Sequence, residues 1–411
     1  MQIIDKLCED LKAPPHNLLL SQEGKFERFL GIQFTRQEDA SIVCSQPGLV
    51  KKILAATRME DCKINSTPCS QLGLGSDPDG APMKETWNYA SVVGMLLYLS
   101  TNTRPDITFA VSQVARFTSS PRQSHASAVK SIIRYLAGTV DKGMILRPND
   151  TMNINAYVDA DFAGLYSREP DDKPEAAQSR TGYVITLAGC PMLWKSQLQS
   201  EIALSTTHAE YVALSQCMRV MIPMTSMVKE ILTVLDSKLV VTTTFHSEVF
   251  EDNMGAYYLA NNQKLTARSK HFLTKYHFFW QAVREGIDGV ELKVSKVDTK
   301  LQNADYLTKG LPQEVFHANR QRVQGWIVML DNKPQFVPEF VCNSPEIVRD
   351  SATYWTALSP TYERESKGIP GSIHGATTQS GFPNPTDISQ SSQEYSKTGE
   401  PAEPASEEQV K

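Results

Sequence analysis

The sequence has no CxxC pair, no cluster of cysteine with histidine and no long apolar run. Each absence closes off a class. Seven scattered cysteines (Cys8, Cys44, Cys62, Cys69, Cys190, Cys217 and Cys342) are an odd number. They point to reduced thiols in an intracellular protein rather than a disulfide frame or a zinc site. No apolar stretch reaches membrane-spanning length, and the N-terminus has no signal-peptide h-region, so no membrane partner is expected. A strong charge of one sign is also missing. The formal net charge is −5 over 411 residues, and the acidic excess lies in the tail from Glu339 onward. The near-neutral remainder does not exclude nucleic acid, because a local basic face is enough to bind it.

What is present divides into three regions. Residues 1–150 open with "MQIIDKLCEDLKA", where Ile3, Ile4, Leu7 and Leu11 form one helical stripe. "KFERFLGIQFTR" and "SIVCSQ" read as a strand pair joined by the polar "QEDA". Four helical patterns follow, in "PGLVKKILAATRM", "NYASVVGMLLYLS", "DITFAVSQVARFTSS" and "SHASAVKSIIRYLAGTV". Nothing in this region gathers carboxylates or histidines into a site.

Residues 151–330 alternate strand and helix patterns, which suggests an α/β fold with a mixed sheet and helices on its faces. "INAYVDA" is a strand, and "RTGYVITLAGCPMLWKS" is a hairpin turning at Ala188–Pro191. A long helical run starts near Thr207 and contains Pro223, which should kink or end it. Then come the strand "VVTTTFHSEVF", the helices "MGAYYLAN" and "KHFLTKYHFFWQAVREG", the strand "GVELKVSKV", and a last helix starting in "NADYLTKGL". Residues 331–411 form a linker and a tail rich in Ser, Pro, Thr and Glu. The tail has too little apolar content to bury a core, so disorder is expected from about residue 361.

The stretch "NINAYVDADFAG", Asn153–Gly164, carries the chemistry. Strand period puts Asp159 and Asp161 on one face, unlike the adjacent aspartates of a polymerase Tyr-x-Asp-Asp turn. Asp159 ends an apolar alternation, where an open α/β sheet places its site. Glu210 lies in the first turn of the long helix, Asp252 follows a strand, and Asp305 opens a helix. Singly, each has an ordinary role. Thr207 and Glu210 fit a capping box, and Asp252 and Asp305 fit helix caps. Together, four carboxylates at neighbouring element ends repel one another unless cations hold them. Hard oxygen ligands suit Mg²⁺ or Mn²⁺, and a pair of such ions clamps in-line attack on a phosphodiester.

These segments resemble a known family. "AYVDADFAG", "SRTGYVITLAGCPMLWKSQLQSEIALSTTHAEYVALS", "DNMGAYYLANN", "ARSKHFLTKYHFFWQAVREG" and "NADYLTKGL" are similar to the ribonuclease H domain ending copia-type retrotransposon polyproteins. "FERFLGIQF", "YASVVGMLLYLSTNTRPDITFAV" and "AVKSIIRYLAGT" resemble the end of the reverse transcriptase in the same elements. The resemblance spans roughly residues 25–328. It implies a ribonuclease H-like fold at 151–330, preceded by an α+β reverse-transcriptase remnant (palm edge, thumb and connection). It implies that Asp159, Glu210, Asp252 and Asp305 are catalytic and hold two Mg²⁺ ions, with Mn²⁺ as the alternative. The implied substrate is the RNA strand of an RNA·DNA hybrid. The implied partners are the polymerase and integrase parts of the same polyprotein. The implied location is intracellular, in a cytoplasmic virus-like particle or the nucleus. The polymerase acids are expected upstream of "FLGIQF", so this chain alone is not expected to polymerise. The rival expectation is an inactive remnant that binds nucleic acid or serves as a scaffold.

Secondary candidates surround that core set. Arg268, Lys270 and Lys275, with His271, form a basic cluster suited either to phosphates or to a solvated helix face. Ala160–Gly164 and Ser205–Thr207 are candidates for 2′-OH contacts. Asp161 reads as a neighbour of the metal ligands or as a solvated turn acid. Of Phe278, Phe279 and Trp280, some should be core and some open to base stacking. Trp194 and Lys195 read as packing and a solvated charge. Three features depart from the family pattern: His208 where an acid is frequent, the long loop "SREPDDKPEAAQSRTG", and Pro223.

Overall fold

The computed structural model describes residues 8–20, 26–149, 151–170, 172–235, 245–262, 276–326, 328–330 and 333–335. The described residues all fall within one compact unit. Its first half holds strands β1 (Arg28–Phe29), β2 (Ile32–Arg36) and β3 (Ile42–Ser45), then helices α1 (Pro47–Thr57), α2 (Tyr89–Asn102), α3 (Thr108–Ala115) and α4 (Gln123–Ala137). Asn88 starts α2 by accepting a hydrogen bond from the Ser91 amide at 2.8 Å. A strand the hydrophobic pattern does not announce, β4 (Gly143–Leu146), pairs antiparallel with β3 and completes a four-stranded sheet. Its pairing needs Gly143, since a Cβ there would run into the Cys44 carbonyl.

The second half is built on a five-stranded sheet. Its strands are β5 (Ile154–Asp161), β6 (Arg180–Leu187), β7 (Cys190–Leu198), β8 (His246–Glu251) and β9 (Glu291–Lys296), with α5 (Thr206–Leu235) between β7 and β8. The spatial order is β7-β6-β5-β8-β9. β5, β6 and β7 are antiparallel, whereas β8 and β9 run parallel to β5. The sheet is therefore mixed, and β5 lies at its centre. The β6–β7 hairpin turns on Ala188 and Gly189, both at positive φ, as a two-residue loop of this hand requires. Helices α6 (Met254–Asn262), α7 (Trp280–Glu285), α8 (Asp305–Thr308) and α9 (Gln313–Gln324) follow, with a short hairpin of β10 (Val328–Leu330) and β11 (Lys333–Gln335).

Both faces of the large sheet are covered, and alternation along the strands sorts the residues. Ile154, Ala156, Val158 and Ala160 of β5, with Tyr183 and Ile185 of β6, share a core with Tyr211, Leu214, Met218 and Met221 of α5. Tyr157 and Val184 point to the other face and join a core made by α1–α4, Tyr306, Leu307 and Phe316. Helices α8 and α9 thus pack into the same core as the upstream helices.

Several expectations are corrected. Pro223 does not end α5, which runs unbroken from Thr206 to Leu235. An interior proline costs about 3 kcal/mol by removing a donor and crowding the preceding turn. Core residues on both sides offset that cost: Met218 and Met221 before it, Met224 and Val228 after it. The last helix is two helices. α8 is four residues long, and α9 begins after Lys309–Pro312. Of the helix expected over "KHFLTKYHFFWQAVREG", the described part is a 3-10 turn at His277–Phe279 followed by α7. The basic cluster Arg268, Lys270, His271 and Lys275 and the tail beyond 335 lie outside the described residues.

Candidate metal centre

Asp159 lies near the C-terminal end of β5, where it is nearly fully buried. Glu210 is the fifth residue of α5, just past the first turn where it was expected, and is also buried. Asp252 directly follows β8, the parallel neighbour of β5, so it lies beside Asp159. One oxygen from each of these three acids lies within 4.8 Å of the others. Ligand oxygens on one octahedral Mg²⁺ are about 3–4 Å apart, so a small closure brings the trio onto one ion.

The capping reading of Glu210 does not hold. Ser205 caps α5, with its hydroxyl accepting from the His208 amide at 3.1 Å. His208 reaches back through Nδ1 to the Leu204 amide at 3.1 Å. Histidine thus fills the position where a capping-box glutamate would sit, and Glu210 is left to face the other acids. Ser205 and Thr206, at the rim, are exposed.

Asp305 comes from a separate segment, α8. It is not one of the trio, but its segment touches Asp159 directly. The Thr308 hydroxyl donates to the Asp159 carboxylate. The Lys309 ammonium lies 2.9 Å from Asp305 and 3.6 Å from Asp159. Gln302, fully buried, donates to the Val158 carbonyl at 2.8 Å and fastens the loop to β5 one residue before Asp159. Gly182 sits opposite Asp159 in the β5–β6 register. A Cβ on it would meet Thr308 Cγ2 at 2.6 Å and Leu307 Cβ at 3.0 Å, so glycine is what lets α8 lie against the sheet.

Two residues of this centre escape sequence reasoning. Glu251, the last residue of β8, is fully buried beside the trio. Its Oε1 accepts from the Asn253 amide at 3.0 Å, and its Oε2 has no hydrogen-bond partner among the described residues. Adjacent to Asp252, it reads in the sequence as an ordinary strand-end acid. Lys309 is the other; its spacing of four from Asp305 was the available signal. Asp161 is half-buried, with Lys309 and Arg180 as its nearest cations. Phe279 is core and Phe278 is exposed beneath the Arg219 guanidinium. Trp194 donates through its indole to the Ser100 carbonyl at 2.7 Å, and Lys195 is exposed.

Crowding of acids sets the electrostatics. Burial first, then repulsion from Glu251 and Asp159, holds the Glu210 carboxyl well above the usual carboxylate range. Burial and the nearby Asp252 and Asp159 do the same to Glu251, against the Asn253 amide. Asp305 is pushed up to about 7 by burial and by Asp159, although Lys309 opposes both. Burial pulls the Lys309 ammonium down, but Asp159 and Asp305 outweigh it and raise it. Buried anions without enough cations are costly unless protonated or bound to a cation. The donor set is all carboxylate oxygen, which suits a hard divalent ion. The buried, unpartnered oxygens Glu210 Oε2 and Glu251 Oε2 fit that assignment.

A pH dependence follows. Between 3.8 and about 7, folded Asp305 keeps a proton that the unfolded chain has released. Stability therefore falls as pH rises through that window. In EDTA, denaturation midpoints are expected to fall from pH 4 to pH 7 more steeply for wild type than for Asp305→Asn. Added Mg²⁺ is expected to flatten the difference, because the ion takes the place of the protons. Equal slopes in EDTA would show that Asp305 is not held protonated.

No family model matches the chain. The "Retrovirus-related Pol polyprotein from transposon TNT 1-94" of Nicotiana tabacum is 34% identical over 328 residues, 78% of this chain and 23% of its own. That from transposon RE1 of Arabidopsis thaliana is 34% identical over 288 residues, 70% of this chain and 18% of its own. The chain thus spans about a fifth of the length of these curated relatives. The solved structure of LC11-RNase H1, isolated from compost, overlaps 41% of this chain and 97% of its own at 19% identity, with a TM-score of 0.24. No helix among the described residues is long and apolar enough to cross a membrane.

Proposed function

Because the chain belongs to the retrovirus-related Pol polyproteins of transposons, we propose that it is a copia-type reverse transcriptase–ribonuclease H segment that hydrolyses the RNA strand of RNA·DNA hybrids. In this reading residues 1–150 are the end of the polymerase and residues 151–330 are the nuclease. The supporting observation is the meeting of Asp159, Glu210 and Asp252 within 4.8 Å at the end of the central strand. Asp305 approaches them from α8, as the resemblance implies.

The roles follow from position. Asp159, Glu210 and Asp252 would hold a divalent ion, and Asp305 and Glu251 would add negative charge for a second. Bound Mg²⁺ supplies Lewis-acid activation of a water and stabilises the leaving 3′ oxygen. The chain's own residues do the rest. Thr308 and Gln302 fix Asp159 and its strand, and Lys309 offsets the acids before the ion binds. The exposed Ser205 and Thr206 lie one turn before Glu210, where small donors can read a 2′-OH across a minor groove. Polymerase and integrase parts of a longer polyprotein are the proposed partners.

The test is cleavage of a labelled RNA·DNA hybrid by the purified chain, in Mg²⁺ and in EDTA, beside single-stranded RNA and duplex DNA. Metal-dependent cutting confined to the RNA strand of the hybrid is the expected result. No cutting by a folded chain that binds Mn²⁺ would sink the nuclease reading and favour a scaffold that only binds nucleic acid.

A further inference from the structure

The fourth acid depends on the core of the upstream helices far more than the other three do. Asp159, Glu210 and Asp252 stand on β5, α5 and the end of β8, elements that pack in the core beneath α5. Asp305 stands on α8, a four-residue helix too short to hold itself. The residues after it, Tyr306 and Leu307, are buried in the core of the upstream helices. We propose that the upstream region is a positioning element for the fourth acid, acting through Arg320 of α9, which clamps α8 onto a buried Arg104–Asp106–Tyr135 network. This rests on the hybrid-nuclease reading, which it deepens by naming residues that set one acid in place.

The path is continuous. Arg104 and Asp106 form a two-pronged ion pair with both side chains fully buried, at 2.9 and 2.8 Å. The Tyr135 hydroxyl donates to Asp106 at 2.5 Å and accepts from Arg320 Nη1 at 2.9 Å. The Arg320 guanidinium also lies over the rings of Trp326 at 4.3 Å and Phe316 at 5.8 Å. Gln324, at the end of α9, donates to Asp106 at 3.3 Å, and the Trp326 indole donates to the Gly143 carbonyl at 2.5 Å. Phe316 meets Tyr135 edge-on at 5.8 Å and Tyr306 at 6.4 Å. Tyr306 is the next residue after Asp305.

The far side of α8 has no slack. Leu307 and Thr308 lie against Gly182, where even one added carbon would clash. A shift of α9 is therefore passed to Asp305 rather than absorbed. Misplacing a catalytic group by about 1 Å can cost on the order of 10²-fold in rate. The buried ion pair itself is no strong source of stability. Its geometric effect is to give Tyr135 and Arg320 one arrangement.

The test uses the whole chain with Arg320→Met, which keeps length and apolar contact but removes the donor to Tyr135. The readouts are amide hydrogen exchange, kcat and KM for the hybrid, and Mn²⁺ stoichiometry. The expected result is faster exchange across residues 304–309 with β5 and β8 unchanged. With it should come a kcat lower by about 10- to 100-fold, an unaltered KM, and loss of the weaker Mn²⁺ site. Arg320→Lys should recover part of the loss. Unchanged exchange at 304–309, or faster exchange there with kcat and stoichiometry unaltered, overturns the clamp. If Arg320→Met does not fold, Phe316→Leu is read in the same way. A wild-type chain that cleaves nothing defeats the nuclease reading, while exchange and Mn²⁺ binding still decide the clamp.

Discussion

Asp159→Asn is expected to lower hybrid cleavage by at least about 10³-fold, equivalent to roughly 4 kcal/mol at the transition state. The carboxylate is at the centre of the arrangement. It belongs to the three-acid group, accepts from Thr308 and lies 3.6 Å from Lys309. Asparagine keeps the volume and an acceptor for Thr308 but removes the charge that a cation needs. The fold should survive. The substitution relieves repulsion on Glu210, Glu251 and Asp305 while losing the Lys309 contact. Metal-free stability is expected to change by no more than about 1 kcal/mol. Cleavage assays with single-turnover kinetics, beside thermal unfolding in EDTA, separate the two effects. Cleavage within tenfold of wild type would remove Asp159 from the metal centre.

Removing residues 1–150 is expected to leave a chain that does not fold stably. One face of the large sheet is covered by upstream helices, and Tyr157, Val184, Tyr306 and Leu307 are buried in the shared core. Exposing four such side chains costs about 2 kcal/mol each, or about 8 kcal/mol together. That is comparable with the whole stability of an ordinary domain. The newly exposed patch also invites association. Circular dichroism and size-exclusion chromatography of residues 151–335 should show a loosened or aggregated species. A monomeric, cooperatively unfolding product would show that the upstream cover is dispensable. The consequence for assays is direct: silence from residues 151–330 alone would say little about catalysis by the full chain.

The elements were legible where a local period carried them. "INAYVDA" alternates, and the structure places Ile154, Ala156 and Val158 in one core and Tyr157 in the other. The β6–β7 turn was legible at Ala188–Pro191 between two apolar runs, but it is only Ala188–Gly189, since Cys190 and Pro191 already belong to β7. Pro223 does not end α5 because a proline's local cost is offset by methionines packed on both sides of it. β4 was missed because four residues carry too little period, and its partner β3 lies about 100 residues earlier. The single last helix was wrong because Gly310 and Pro312 break it into two.

By itself, the sequence determined the chemistry available to this protein. It set the kinds of donors and their places at the ends of elements. Those follow from residue type and local period, which need no long-range information. Tertiary structure alone decided which acids meet. It brought Asp159, Glu210 and Asp252 together through the parallel pairing of β5 with β8 and the packing of α5. It added the buried Glu251 and the cation Lys309, and it released Glu210 from capping by giving that task to Ser205 and His208. It also tied Asp305 to a core some 200 residues earlier in the chain. Burial and repulsion depend on distances between side chains far apart in sequence, and only the folded chain sets those distances.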